Sequence, residues 1–118
     1  MSSRSVLVLI DDMRVATERA LGYVDGYSYP AFVADGRTFD AVLRNLEVIG
    51  EAASQVPVPF REGHPEIPWR QIVGLRNVVV HRYFAVDPET VWAIVDGQLP
   101  SLLPQLLSLQ REASDDGA

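Results

Sequence analysis

Within the eight residues Arg76-Asn77-Val78-Val79-Val80-His81-Arg82-Tyr83 the chain gathers two guanidinium groups, an amide, an imidazole and a phenol. Such a window concentrates hydrogen-bond donors around one titratable base. Arginine holds a planar anion, phosphate or carboxylate, through paired N–H groups. Histidine exchanges a proton near neutral pH. The same residues admit a structural reading, in which Arg76 pairs with a buried acid and His81 caps or packs. Arg82, beside His81, reads as a solvated surface residue.

The segment that carries these groups reads as a helix from Pro68 or Trp69 to about Phe84, although Val78-Val79-Val80 favours a strand by propensity alone. On a wheel of about 100° per residue, Ile72, Trp69, Val80 and Tyr83 fall within about 40° of Arg76. Arg76 then occupies the middle of an apolar stripe, where burial of a permanent charge requires a carboxylate, a phosphate or a wet cleft. Asn77 and His81, four residues apart, flank that stripe. His81 points about 140° from Arg76 and about 160° from Tyr83. One straight helix does not aim all three at one point, so either the helix distorts or a second chain completes the site.

Three further helical blocks must position this one. The first runs from about Ser5 to Val24 and ends in the turn-rich stretch Asp25-Gly26-Tyr27-Ser28-Tyr29-Pro30. The second begins near Thr38, read as its cap, and stops at Pro57 and Pro59. The last opens on Asp87-Pro88-Glu89, a cap, a first-turn proline and an acid suited to the helix dipole. Pro100 and Pro104 should kink it or divide it near Gly97, and the tail 114–118 is expected to fray. The expected architecture is one all-α domain over 1–118, an up-and-down bundle of four main helices with the last kinked at its prolines.

Composition narrows the function classes. With 118 residues, 47% of them hydrophobic, the chain suits a single modest core. No cysteine is present, which excludes disulfides, thiolate metal sites and a cysteine nucleophile. The longest early apolar run, Val6 to Ile10, is too short for a signal-peptide core or a membrane span, and a cytoplasmic location is expected. A net charge of −6 argues against a general nucleic-acid surface, so any RNA site must be a local basic pocket. All ten basic residues are arginine, a bias that codon usage explains better than selection at a site.

The window also resembles the HepT-like branch of the HEPN superfamily, whose motif is Arg-x4-His-x-Tyr with a polar residue after the arginine. The flanks resemble it too. Leu46-Glu47-Val48-Ile49-Gly50-Glu51-Ala52-Ala53 is similar to that family's apolar-Gly-Glu-Ala helix. Ile67-Pro68-Trp69, Val86-Asp87, Val91-Trp92 and Leu99-Pro100-Ser101-Leu102 are similar to the segments around its motif. The resemblance covers about Thr38 to Leu109, and the first helix weakly.

What it implies is a HEPN-type homodimer with two motifs facing a shared cleft, which cleaves RNA with no metal or other cofactor. Such a protein is the toxin of a type II toxin–antitoxin pair. Its partner, a small nucleotidyltransferase antitoxin, attaches AMP to the motif tyrosine. Carried over, Arg76 and His81 are the catalytic pair, Asn77 and Glu51 support them, and Tyr83 is the modification site. Two other readings stay open. One is a non-catalytic helical dimer serving a nucleotidyltransferase as its binding or regulatory subunit. The other is a structural dimer with Arg76 buried on Glu51.

The remaining candidates divide as follows. Glu51 either anchors Arg76 or lines the cleft, or it belongs to a solvated face carrying an Arg44–Glu47 pair. His64 reads as an exposed loop histidine rather than a metal ligand. Trp69 and Trp92 read as core.

Overall fold

The computed structural model describes residues 5–80 and 87–117, the side chains of 78–80 and 113–117 excepted. Among these residues there is no strand, and the fold is all-α. Helix α1 (Val6–Tyr23) begins where Ser5 accepts a hydrogen bond from the Val8 amide, satisfying one of the free N–H groups of its first turn. Its buried stripe, Leu9, Ile10, Met13, Ala16 and Ala20, keeps helical spacing and faces both α3 (Gly36–Gln55) and α8 (Leu99–Gly117). Gln110 of α8 donates to Asp11 of α1 at 2.7 Å, fixing the register of that packing.

Between α1 and α3 the turn-rich stretch contains a short helix, α2 (Tyr29–Ala34), capped by Ser28. The cap of α3 is Asp35, three residues before the expected Thr38. Its carboxylate accepts from the Thr38 amide at 3.2 Å, the Thr38 hydroxyl at 2.7 Å and the Tyr27 phenol at 2.7 Å. These three donors stabilise the anion and hold the Asp35 pKa at about 2. The Thr38 hydroxyl is thus a donor to the cap.

At its far end α3 is closed by Arg61, on the one-and-a-half-turn helix α4 (Val58–Glu62). The Arg61 guanidinium donates to the Val56 carbonyl at 2.9 Å and the Ser54 carbonyl at 3.2 Å, filling acceptors that the helix end leaves open. His64 follows, and it is not an exposed loop histidine. Only 18% of its side chain is accessible. It stacks on Phe60 at 4.4 Å, bonds the Phe60 carbonyl through Nδ1 at 3.0 Å, and meets Glu112 of α8 through Nε2 at 3.4 Å. The Phe60 carbonyl, and then Glu112, raise its pKa against the opposing effect of burial.

The expected third helix is two pieces, α5 (Trp69–Val73) and α6 (Leu75–Val80), separated at Gly74. The Gly74 ψ of −15° tightens the turn, and the Asn77 amide bonds the Gly74 carbonyl at 3.0 Å, three residues back. Val78 to Val80 are helical, against their strand propensity. Trp69 is buried, with its indole N–H on the His64 carbonyl at 3.0 Å.

Helix α7 (Pro88–Ala93) starts at Asp87, whose carboxylate accepts from the Glu89 amide and the Thr90 hydroxyl. A π-helical turn, Ile94–Gln98, joins it to α8. Pro100 supplies no N–H for the Asp96 carbonyl, so the regular ladder is interrupted there, beside Gly97 as expected. Helical geometry continues through 114–117, the stretch read from sequence as a frayed tail. Trp92 packs on Phe32 at 5.2 Å and Tyr29 at 6.2 Å, tying α7 to α2.

Candidate functional site

The motif helix α6 is positioned by α3, and the closest approach is at Gly50. A β-carbon at that position would lie 2.7 Å from Arg76 Cγ, 2.8 Å from the Arg76 backbone nitrogen and 3.2 Å from the Val73 carbonyl oxygen. Carbon contacts ordinarily sit at about 3.5–4.0 Å. Only a residue without a side chain lets α3 pass this near the start of α6. The next residue, Glu51, then faces Arg76 across the crossing.

The Arg76 guanidinium donates through Nη1 to Glu51 Oε2 at 3.2 Å. Glu51 Oε1 receives a longer contact from the Gln55 amide at 3.5 Å. Neither partner is buried, for the Arg76 side chain is 41% exposed and that of Glu51 is 55% exposed. The wheel placed Arg76 in the centre of an apolar stripe, but the interruption at Gly74 breaks the phase between Trp69, Ile72 and Arg76. The arginine emerges at the rim of the α3–α6 crossing instead. An exposed pair of this kind contributes about 0.2–1 kcal/mol, so it orients the guanidinium more than it holds the fold.

Both readings of the α3 polar face hold together. Arg44 pairs with Glu47 at 3.1 Å on the solvated side, while Glu51 takes Arg76. Glu47 and Glu51 share with Asp12, Arg44 and Gln55 the wall of a 240 Å³ groove between α1 and α3. Glu51 therefore bridges that groove and Arg76.

Of the other site residues, Asn77 is exposed on α6. His81, Arg82 and Tyr83 lie outside the described residues. The described part of the site is thus a half-exposed arginine side chain, held at a fixed point by a carboxylate and backed by a glycine. Such a group can bind a phosphate oxyanion and offset charge that gathers on it. Among the described residues no group of three or more His, Asp or Glu converges as a metal-binding cluster would. Gly50 stands in the apolar-Gly-Glu-Ala segment noted in the sequence, but its part in the α3–α6 crossing was not read from it. Its signal is the run of small residues Gly50, Ala52 and Ala53 on the buried stripe of α3.

Comparison with known proteins gives a family for this arrangement. A family model described as ribonuclease HepT-like matches residues 13–109, so the likeness extends into α1 beyond the segment where its motifs are dense. A protein of Methanocaldococcus jannaschii named "Putative RNase" is 34% identical over 102 residues, covering 86% of this chain and 94% of its own. A protein of Thermococcus cleftensis named "Probable ribonuclease HepT" is 35% identical over 102 residues, covering 86% of this chain and 93% of its own. A third, from Caldanaerobacter subterraneus and named "Putative RNase", is 39% identical over 90 residues, or 75% of this chain and 80% of its own. No solved structure matches. None of the described helices is long and apolar enough to cross a membrane. With its family match running from α1 to α8, and Arg76 set on Glu51 at the Gly50 crossing, the chain belongs to the HepT-like ribonuclease family.

Proposed function

We propose that this chain is a metal-independent RNA endonuclease, the toxin of a type II HEPN/nucleotidyltransferase toxin–antitoxin pair, with Arg76 and His81 as its catalytic residues. The observation that carries the reading is the half-exposed Arg76 guanidinium, oriented by Glu51 rather than buried on it. A structural arginine would be enclosed by its partner, whereas this one is accessible to a phosphate.

In the proposed reaction the ribose 2′-hydroxyl attacks the adjacent phosphorus as His81 takes its proton. The bond from phosphorus to the 5′-oxygen breaks, leaving a 2′,3′-cyclic phosphate, and the 5′-oxygen departs with the proton returned by the His81 imidazolium. Arg76 neutralises the charge that builds on the non-bridging oxygens. Asn77 orients the imidazole or donates to the phosphate. Because Arg76 and His81 point apart on a regular helix, the site is assembled in a cleft shared by two copies of the chain, in the cytoplasm. AMP on Tyr83, added by the antitoxin, sets a bulky anion where RNA phosphate binds, and inhibits by obstruction and repulsion.

The test is expression in a bacterial host. Wild type should arrest growth, His81→Ala should not, and a cognate nucleotidyltransferase should relieve the arrest while adding AMP mass to Tyr83. Equal arrest by wild type and His81→Ala removes the proposed site, and an active species that sediments as a monomer removes the shared cleft.

A further inference from the structure

On α5 and α6 a groove of about 500 Å³ opens toward α8 and the π-helical turn, a size suited to a small ligand or one nucleotide unit. Its walls include Ile72, Leu75 and Leu102, all buried and apolar. Its polar groups are amides and a hydroxyl, chiefly Gln71, Gln98 and Gln105. Among the described residues none that lines the groove is charged, although 22% of the chain is. Gln105 is committed, donating its amide to the Glu66 carbonyl at 3.1 Å. Gln71 and Gln98 are exposed, and among the described residues their side chains make no hydrogen bond. Gln98 stands on the π-helical turn, a feature frequent at functional sites.

We infer that this groove is a nucleobase subsite, taking one base of the RNA that the Arg76 site cleaves; the inference rests on the ribonuclease reading. The chemistry of the lining selects the occupant. A phosphate or a charged peptide would find no counter-charge among the described lining residues and would lose its hydration. A purely apolar side chain would leave the amides unpaired at its edge. A nucleobase has apolar faces and a neutral edge of donors and acceptors, which the leucine and isoleucine walls and the glutamine amides complement. The location agrees. Leu75 in the groove wall and Arg76 at the phosphate site are consecutive residues, about 3.8 Å apart at Cα and pointing about 100° apart. A nucleotide with its phosphate on Arg76 can turn its base past Leu75 into the groove.

The test uses uncharged nucleosides, which have no phosphate for Arg76, and follows the side-chain amide NMR signals of Gln71 and Gln98. At least one of adenosine, guanosine, cytidine and uridine should move both signals saturably in wild-type protein. Ser101→Trp, which fills the groove from an exposed lining position, should abolish the movement. The milder Gln98→Ala, followed at Gln71, should weaken the affinity roughly 3- to 10-fold, as loss of one hydrogen bond does. Ser101→Trp should also change which bases flank the cleavage sites in a mixed-sequence RNA. No movement with any nucleoside, or equal movement in Ser101→Trp, overturns the subsite. Failure of the ribonuclease reading would look different, with RNA left intact while the nucleoside signals still move.

Discussion

Replacing Gly50 with alanine sets two effects of known sign against each other. In the interior of α3 the change removes backbone freedom from the unfolded chain and favours the helix by about 1 kcal/mol. Against this stands the new methyl group, which would sit 2.7 Å from Arg76 Cγ and 2.8 Å from the Arg76 backbone nitrogen. The side-chain atom can swing aside, but the backbone atom cannot. Relief to an ordinary contact moves α6 away from α3 by close to 1 Å. Overpacking of this kind costs about 1–3 kcal/mol. The net loss is therefore up to about 2 kcal/mol, which at roughly 4 °C per kcal/mol lowers Tm by as much as about 8 °C. The same displacement shifts Arg76 relative to bound phosphate, where an ångström costs up to about 100-fold in rate. Gly22, in α1, has no atom within 4 Å of a β-carbon and serves as the control. Thermal unfolding of both alanine variants, with RNA cleavage at a temperature where both are folded, is the assay. If Gly50→Ala gains stability as Gly22→Ala does and cleaves at the wild-type rate, the crossing does not position Arg76 as described.

Arg76→Ala should change unfolding free energy by no more than about 1 kcal/mol, because the Glu51 pair is exposed, while lowering RNA cleavage by about 100- to 1,000-fold. Loss of several kcal/mol by denaturant titration would restore the buried-pair reading. The raised His64 pKa means that its contribution is fully present below the unfolded value of about 6.5 and fades as pH rises through the folded value. Tm of the wild type should therefore fall between about pH 6 and pH 8 by more than that of His64→Gln, and parallel curves would contradict the hold of the Phe60 carbonyl and Glu112 on the charged imidazole. Asp35 behaves in the opposite sense, since its folded pKa of about 2 lies below the unfolded 3.8. Its stabilisation holds above pH 4 and is lost as pH drops toward 2, so Asp35→Asn should be less stable at pH 7 and show a shallower decline in acid, both read from Tm against pH.

Local signals were legible wherever one residue type has one dominant use. Ser5 and the Asp87-Pro88 pair mark helix starts, and Pro100 with Gly97 marks the irregular turn before α8. The short helices α2 and α4 were hidden because six and five residues are too few for a periodicity to register. The break at Gly74 was hidden for another reason. Its φ of −63° is helical, and only a ψ of −15° departs, in a segment whose carbonyls lie against Gly50 of another helix. Because the wheel assumed one unbroken helix, it centred Arg76 on the apolar stripe instead of at the rim of the crossing. His64 also depended on distance in sequence, its partner Glu112 lying 48 residues away. Residue types left open whether Glu51 anchors Arg76, lines the cleft or belongs to a solvated face, and did not show that Gly50 brings their helices together.

Under the proposed function, RNA is cleaved at a site built on Arg76 and His81 without a metal. The direct measurement is single-turnover cleavage of a mixed-sequence RNA by wild type and His81→Ala, each with and without excess chelator. Equal wild-type rates in chelator and buffer, with loss of at least about 100-fold in His81→Ala, are the predicted result. Cleavage that disappears with chelator, or that persists in His81→Ala, would contradict it.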